Sequence, residues 1–114
     1  ATAMDDRGCF WVINYFYPGE KEKLKPAPDP EVQKFGLPEG YLSSGCVERL
    51  LELRLTEDDR IVRTETPPIY LQLSTDGGCR NWEAVVRLDD RGFLLMTDKY
   101  PGTLFAFVAN PYQH

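Results

Sequence analysis

The sequence has few of the residues that build metal centres and nucleophilic active sites. Its 114 residues include one histidine, the terminal His114, and three cysteines, Cys9, Cys46 and Cys79. No two cysteines have the spacing of metal ligands, which argues against a zinc site. A Cys–His nucleophile is also disfavoured, because the one available base lies at a chain end. We therefore expect the cysteines to be small apolar residues, buried or half-buried.

Long hydrophobic runs and an excess of positive charge are also missing. The longest uninterrupted apolar run is Leu104–Ala109, far short of the roughly 18 residues that a membrane-spanning helix needs. The chain has 13 Lys and Arg against 18 Asp and Glu, a net charge of −5, which disfavours binding to the phosphates of nucleic acids. No N-terminal segment has the pattern of a signal peptide. The length and the 42% hydrophobic composition are those of a single globular domain.

An internal repeat organises the chain. Residues 4–19 read MDDRGCFWVINYFYPG, and residues 88–102 read LDDRGFLLMTDKYPG. Each copy has Asp-Asp-Arg-Gly, then an apolar run, and then Tyr-Pro-Gly. Asp-Asp-Arg-Gly is typical of a tight turn in which glycine takes a positive φ. Each copy therefore predicts a hairpin.

The second copy predicts a three-stranded antiparallel meander. A strand over residues 82–88 leads into the turn, residues 93–97 form the return strand, and residues 103–109 form a third strand. The near-continuous apolar character of these segments predicts that the strands are covered on both faces.

The first copy predicts a return strand over residues 8–16, followed after an insertion by further strands. The candidates are residues 47–55, where leucines alternate with charged residues, and then residues 61–66 and 69–73. Alternation of this kind favours a strand over a helix.

The insertion, residues 17–45, is rich in proline and predicts one short helix. Asp29 fits its N-cap, Pro30 its first residue and Gly36 its end. Loops of this length are either functional or mobile surface segments.

Small meanders repeated along a chain are the units of a β-propeller. The two copies begin 84 residues apart, at positions 4 and 88, and the insertion explains why this period exceeds one blade of roughly 40–50 residues. The sequence thus predicts an all-β, partial β-propeller domain over residues 1–114. One blade covers about 1–73, including the insertion, and the other covers about 79–114.

The repeat also resembles a known family. Asn81-Trp-Glu83, followed by LDDRGFLLMTD over residues 88–98, resembles a blade of the esterase-like or phytase-like propellers, and CFWVIN over residues 9–14 resembles the preceding blade. The blades of that family begin with Asn-x-Glu and contain an Asp-x-x-Gly turn, an apolar strand and a terminal Asp. Its propellers have more blades than fit here. The resemblance therefore implies a fragment or a piece that assembles with further blades or copies, and a secreted or periplasmic location.

Asn14, Glu83 and Asp98 are the candidate ligand residues. They lie near strand ends, which in a propeller meet at the mouth of the central channel. Their oxygens suit calcium, and the resemblance implies that calcium there engages a small anionic ligand and supports hydrolysis of a phosphoester or an ester. The alternative for Asn14 and Asp98 is hydrogen bonding to turn backbones, and the four aspartates of the repeated turns are assigned to the turns.

Arg80 and Trp11 complete the candidate site, as an anion contact and a stacking surface. Their alternatives are a solvated arginine and a tryptophan of the core. The sequence shows no complete catalytic set. A second hypothesis is therefore a non-catalytic propeller scaffold, whose blade edges and long loop bind other proteins.

Overall fold

Seven strands and one short helix form the described part of the chain. The computed structural model describes residues 1–16, 29–36, 47–71, 82–97 and 104–112. In chain order the elements are β1 (Cys9–Phe16), α1 (Pro30–Phe35), β2 (Val47–Leu55), β3 (Ile61–Arg63), β4 (Ile69–Tyr70), β5 (Ala84–Leu88), β6 (Gly92–Thr97) and β7 (Leu104–Ala109).

The first sheet is built around β2. β1 runs antiparallel along one edge of β2, and β3 and β4 both pair with the other edge. The hydroxyls of Thr64 and Thr66 donate to Oε1 of Glu52, at 2.8 and 2.7 Å, and hold the chain between β3 and β4 against β2. These two short strands are thus two pieces of one edge. Pro67 and Pro68 lie in the gap between them, since proline has no N–H to continue a ladder.

The predicted strands after the insertion are confirmed in position, but the second and third are shorter than predicted, and residues 72 and 73 of the third lie outside the described residues. β2 occupies the predicted residues 47–55. β3 ends at Arg63, and β4 pairs with β2 rather than with β3. The first sheet therefore has three strand positions, and β3 and β4 together fill the third one beside β2. The contacts of Thr64 and Thr66 with Glu52 keep the chain along this edge between the two short strands.

The second sheet is the predicted antiparallel meander, in the order β5-β6-β7. Both repeated turns have their glycine at positive φ, +80° at Gly8 and +157° at Gly92. A methyl group on Gly92 would lie 2.2 Å from the carbonyl oxygen of Val108. The glycine therefore also permits the close approach of β6 to β7.

Helix α1 is also confirmed at the predicted residues. Asp29 caps it by accepting a hydrogen bond from the N–H of Glu31, Pro30 is its first residue, and Gly36 ends it with φ of +79°. The helix has six residues. In the described ranges no helix is long and apolar enough to cross a membrane.

One hydrophobic core joins the two sheets. The rings of Trp11 and Phe93 meet edge to face, with centroids 5.2 Å apart. Within the described residues neither sheet closes into a barrel, and no ring of blades is seen, so the propeller arrangement stays a prediction. The buried apolar residues of the core cluster are Trp11, Leu50, Ile69 and Leu71 on one side and Trp82, Val85, Phe93 and Leu95 on the other.

Candidate functional site

Asn14 contributes to a structural network in the first sheet. It lies opposite Arg49 in the β1–β2 register, and its Oδ1 accepts a hydrogen bond from Nε of Arg49 at 2.9 Å. The same guanidinium donates to both carboxylate oxygens of Asp29, at 2.8 and 3.1 Å, and to the hydroxyl of Tyr70 at 3.2 Å. A fixed positive charge at the oxygen of Asn14 opposes the approach of a second cation.

The pairing of Asp29 with Arg49 anchors helix α1 to the first sheet. Burial by itself raises the pKa of Asp29, but the hydrogen bonds and charge of Arg49, with the N–H groups at the start of the helix, outweigh it and hold this pKa below its ordinary value. A second ion pair joins Glu31 of the helix to Arg63 of β3, with Nε and Oε1 2.6 Å apart. Asp29 thus both caps the helix and pairs with Arg49, and Glu31 makes a second link from the helix to the sheet.

Two of the other predicted site residues, Trp11 and Glu83, lie within the described structure. Trp11 is 2% exposed and packs on Phe93. It is therefore a tryptophan of the core, which was the alternative to a surface on which a ligand stacks. Glu83 is exposed at the start of the second sheet, where its N–H donates to the carbonyl of Met96 at 2.9 Å. Asp98 and Arg80 lie outside the described residues.

No cluster that could hold a metal is found in the part of the chain that the structure describes. The calcium site at Asn14, Glu83 and Asp98 therefore remains a prediction. Cys9 is 6% exposed, as expected of a small apolar residue, and burial raises the pKa of its thiol. A raised pKa leaves less thiolate, which disfavours a nucleophilic role.

The first Asp-Asp-Arg-Gly turn packs against the second sheet. Oδ1 of Asp5 accepts hydrogen bonds from the N–H groups of Arg7 and Cys9, both at 2.9 Å, and its Oδ2 accepts one from Arg87 of β5 at 3.3 Å. Burial alone raises the pKa of Asp5, but these hydrogen bonds hold it below its ordinary value. Asp5 is thus a turn residue, and it also joins the first repeat to the second sheet. An open cleft of about 500 Å³ lies around it, between the two repeated turns.

The second sheet has apolar residues on both faces but is covered on only one. Its inner face places Val85, Phe93 and Leu95 in the core. The register aligns Val86, Leu94 and Phe107 across the three strands on the opposite face. We call this the outer face, and its exposed large residues are Val86 (54%), Leu88 (40%), Leu94 (38%), Phe105 (62%) and Phe107 (57%).

No family model, no curated protein and no solved structure matches this chain. The resemblance to phytase-like propellers therefore remains a prediction. The candidate site that the described residues support is the outer face, because five large apolar side chains are exposed together on it.

Two features of the described structure were missed from the sequence. Glu48 is fully buried, with its Oε1 3.4 Å from the N–H of Trp82, and Arg49 is 4% exposed. Consecutive strand residues point to opposite faces, so a Glu-Arg pair within a strand already indicates that one charge faces inward. The second feature is the exposure of the outer face, since the sequence predicted that both faces of the second sheet are covered. An apolar pattern shows that a strand has two apolar faces, but it does not show whether another layer of the described chain covers each of them.

Proposed function

We propose that this chain is a non-catalytic scaffold module that binds other polypeptide through the outer face of its second sheet. The observation that carries this proposal is the exposure of five large apolar side chains on one sheet face. Polar residues normally occupy the solvent face of an antiparallel sheet. An apolar solvent face is therefore typical of a surface that is covered in the working assembly.

The size of the outer face supports the same function. Phe105 and Phe107 are each about 60% exposed. With aromatic side chains of roughly 200 Å², the two rings and the three aliphatic residues expose roughly 450 Å² in all. Contiguous patches of this size on soluble proteins are often functional. At about 25 cal/mol per Å², covering the outer face is worth up to about 11 kcal/mol before the costs of association are subtracted.

The charges near the outer face support binding rather than chemistry. Arg87, which points away from the outer face in the strand alternation of β5, is held by Asp5 and by Asp90. In the first sheet, Arg49 and Arg63 are held by carboxylates at the start of the helix. These arginines stabilise the fold, and the outer face presents apolar surface to a partner.

Site-specific photocrosslinking tests the proposal. Phe107 is replaced by benzoylphenylalanine, and the full chain is irradiated alone and in extract of its source cells. Ile61 is the matched control, because it is an equally exposed apolar residue, at 62%, on the first sheet. We expect discrete covalent products from position 107 and from a second outer-face position, Val86, and none from position 61. A folded chain that gives no product from either outer-face position contradicts the proposal.

A further inference from the structure

The edge strand β7 is the least protected strand of the second sheet. Leu104–Ala109 pairs with β6 on one side, and no strand of the described residues pairs with its other side. It contains no charged residue and no proline, which are the devices that normally prevent edge strands from pairing. The opposite edge strand, β5, carries Arg87, which is held by Asp5 and Asp90.

An apolar groove runs beside this unprotected edge. Leu71 and Trp82 line it together with five consecutive residues of β7, 104–108, and it encloses about 250 Å³. A strand added to β7 would place alternate side chains over the groove and over the outer face, since side chains alternate along a strand. Edge and groove together thus fit an extended, apolar segment, the mode of recognition in which a strand is added to a sheet.

We propose that this added strand is β7 of a second copy, paired antiparallel so that two three-stranded sheets become one sheet of six strands. The inference rests on the proposed function, because the strand that pairs supplies Phe105 and Phe107 of the outer face. A pairing centred on Ala106 sets Phe105 of one copy opposite Phe107 of the other, on the outer face. It sets Leu104 opposite Val108 over the groove, and Ala106 opposite itself.

The composition of β7 is what selects a second copy. A two-fold interface brings the same residues of both copies close together, so a charge near its centre would lie directly opposite or diagonally next to the same charge of the other copy. β7 has none, and its register produces two aromatic pairs, which are favourable across strands. The acidic residues that give the chain its net charge of −5 all lie outside β7.

The buried area predicts a weak dimer. Covering most of Phe105 and Phe107 and the flanks of their neighbours buries roughly 300–400 Å² on each copy, from ring areas of roughly 200 Å². This lies below the roughly 800 Å² per partner of a standard interface. We therefore expect a monomer–dimer equilibrium with a dissociation constant in the micromolar range or weaker.

Sedimentation equilibrium of the full chain, at about 5 to 500 μM, tests the inference with two variants. Phe107→Lys places a charge on β7, and Val86→Lys places the same charge at a similarly exposed position of the outer face but on β5. We expect the wild type and Val86→Lys to form dimers and Phe107→Lys to stay monomeric, with circular dichroism showing that all three are folded. Loss of the dimer in both variants overturns edge pairing in favour of packing between outer faces. A wild-type monomer at every concentration overturns the inference outright.

Disulfide trapping tests the register and does not depend on the charged variants. In a background with Cys46→Ser and Cys79→Ser, Ala106→Cys is expected to oxidise to a covalent dimer, because the pairing sets this residue against itself. Leu104→Cys lies opposite Val108 and is expected to give several-fold less dimer. Equal yields from both variants overturn the register and with it the proposal.

The two proposals fail in different ways. If the chain is monomeric but position 107 crosslinks to a different protein, the second copy is wrong and the scaffold function stands. If position 107 and position 86 give no product with any protein, both proposals are wrong.

Discussion

The indole ring of Trp11 meets the ring of Phe93 at an angle of 65° and a centroid distance of 5.2 Å, and this contact joins the two sheets. Trp11 lies on the return strand of the first repeat, and Phe93 lies on the return strand of the second. Both rings are almost fully buried, at 2% and 0% exposure. The two repeats therefore stabilise each other through their equivalent strands, and each alone would expose a large aromatic ring.

Replacing Phe93 with alanine should strongly destabilise the fold. The change leaves a cavity against Trp11, and we expect the free energy of unfolding to fall by about 3–5 kcal/mol. Phe107→Ala is the matched control, because it removes the same ring from the outer face of the same sheet, and it should cost under about 0.5 kcal/mol in the monomer. Urea titrations at low protein concentration measure both changes. Equal losses from both variants would mean that Phe107 also belongs to the core.

A glycine comparison separates close packing from backbone conformation. Gly92→Ala would bring its methyl group to 2.2 Å from the carbonyl oxygen of Val108, whereas Gly36 also has positive φ but nothing within 4 Å of an added Cβ. We expect Gly36→Ala to cost about 1–3 kcal/mol for its conformation alone, since its φ of 79° and ψ of 179° lie in a region that only glycine readily adopts. Gly92→Ala should cost at least twice as much, because β6 and β7 must separate. Similar melting temperatures for the two variants would contradict the close approach.

The pairing of Asp29 with Arg49 predicts an acid-dependent loss of stability. The folded state holds the pKa of Asp29 below its ordinary value of 3.8, so the unfolded state takes up this proton more readily. The stabilisation is fully present above about pH 4 and is lost as the pH falls through the folded-state pKa. Asp29→Asn keeps a good helix cap but leaves the buried guanidinium without this charge. We expect it to cost about 2 kcal/mol at pH 7, less than for a fully buried pair because Asp29 is partly exposed.

Denaturant titrations from pH 7 to pH 3 measure this effect. The difference between wild type and Asp29→Asn should shrink as the pH falls below 4. Asp58→Asn is the control, because Asp58 pairs with Arg60 at the surface, where exposed ion pairs contribute little to stability. A constant difference between wild type and Asp29→Asn at every pH would show that charge is not the cause.

The calcium hypothesis makes a separate prediction about Asn14. Because Oδ1 of Asn14 accepts a hydrogen bond from Arg49, we expect Asn14→Ala to cost about 1 kcal/mol whether calcium or a chelator is present. A calcium site at Asn14, Glu83 and Asp98 predicts instead that calcium stabilises the wild type, by ~2.7 kcal/mol at a hundredfold excess over its dissociation constant. That stabilisation would disappear in Glu83→Gln combined with Asp98→Asn. Thermal melts with calcium and with chelator decide between the two.

Local sequence determined the elements of this chain. Asp29, Pro30 and Gly36 specify the ends of the helix because a side-chain cap, a fixed φ and a positive φ are each satisfied within one turn of backbone. The two Asp-Asp-Arg-Gly turns and the β5-β6-β7 meander follow in the same way, from glycine conformation and from apolar runs separated by turns. Local sequence sets the bounds of these features, although the ion pairs of Asp29 with Arg49 and of Glu31 with Arg63 also anchor the helix to the first sheet.

Tertiary structure decided how these elements are used. The return of β4 to β2 depends on hydroxyl contacts with Glu52, and the burial of Glu48 and Arg49 depends on partners far away in the sequence. The sequence of the second sheet predicts two apolar faces, and the packing of its inner face into the core shared with the first sheet decides which one is buried. The hydrophobic effect favours the burial of an apolar face but has no direction. Which surface covers that face is therefore decided by the packing of elements that are distant in the sequence. The exposure of the outer face therefore became visible only in the folded chain.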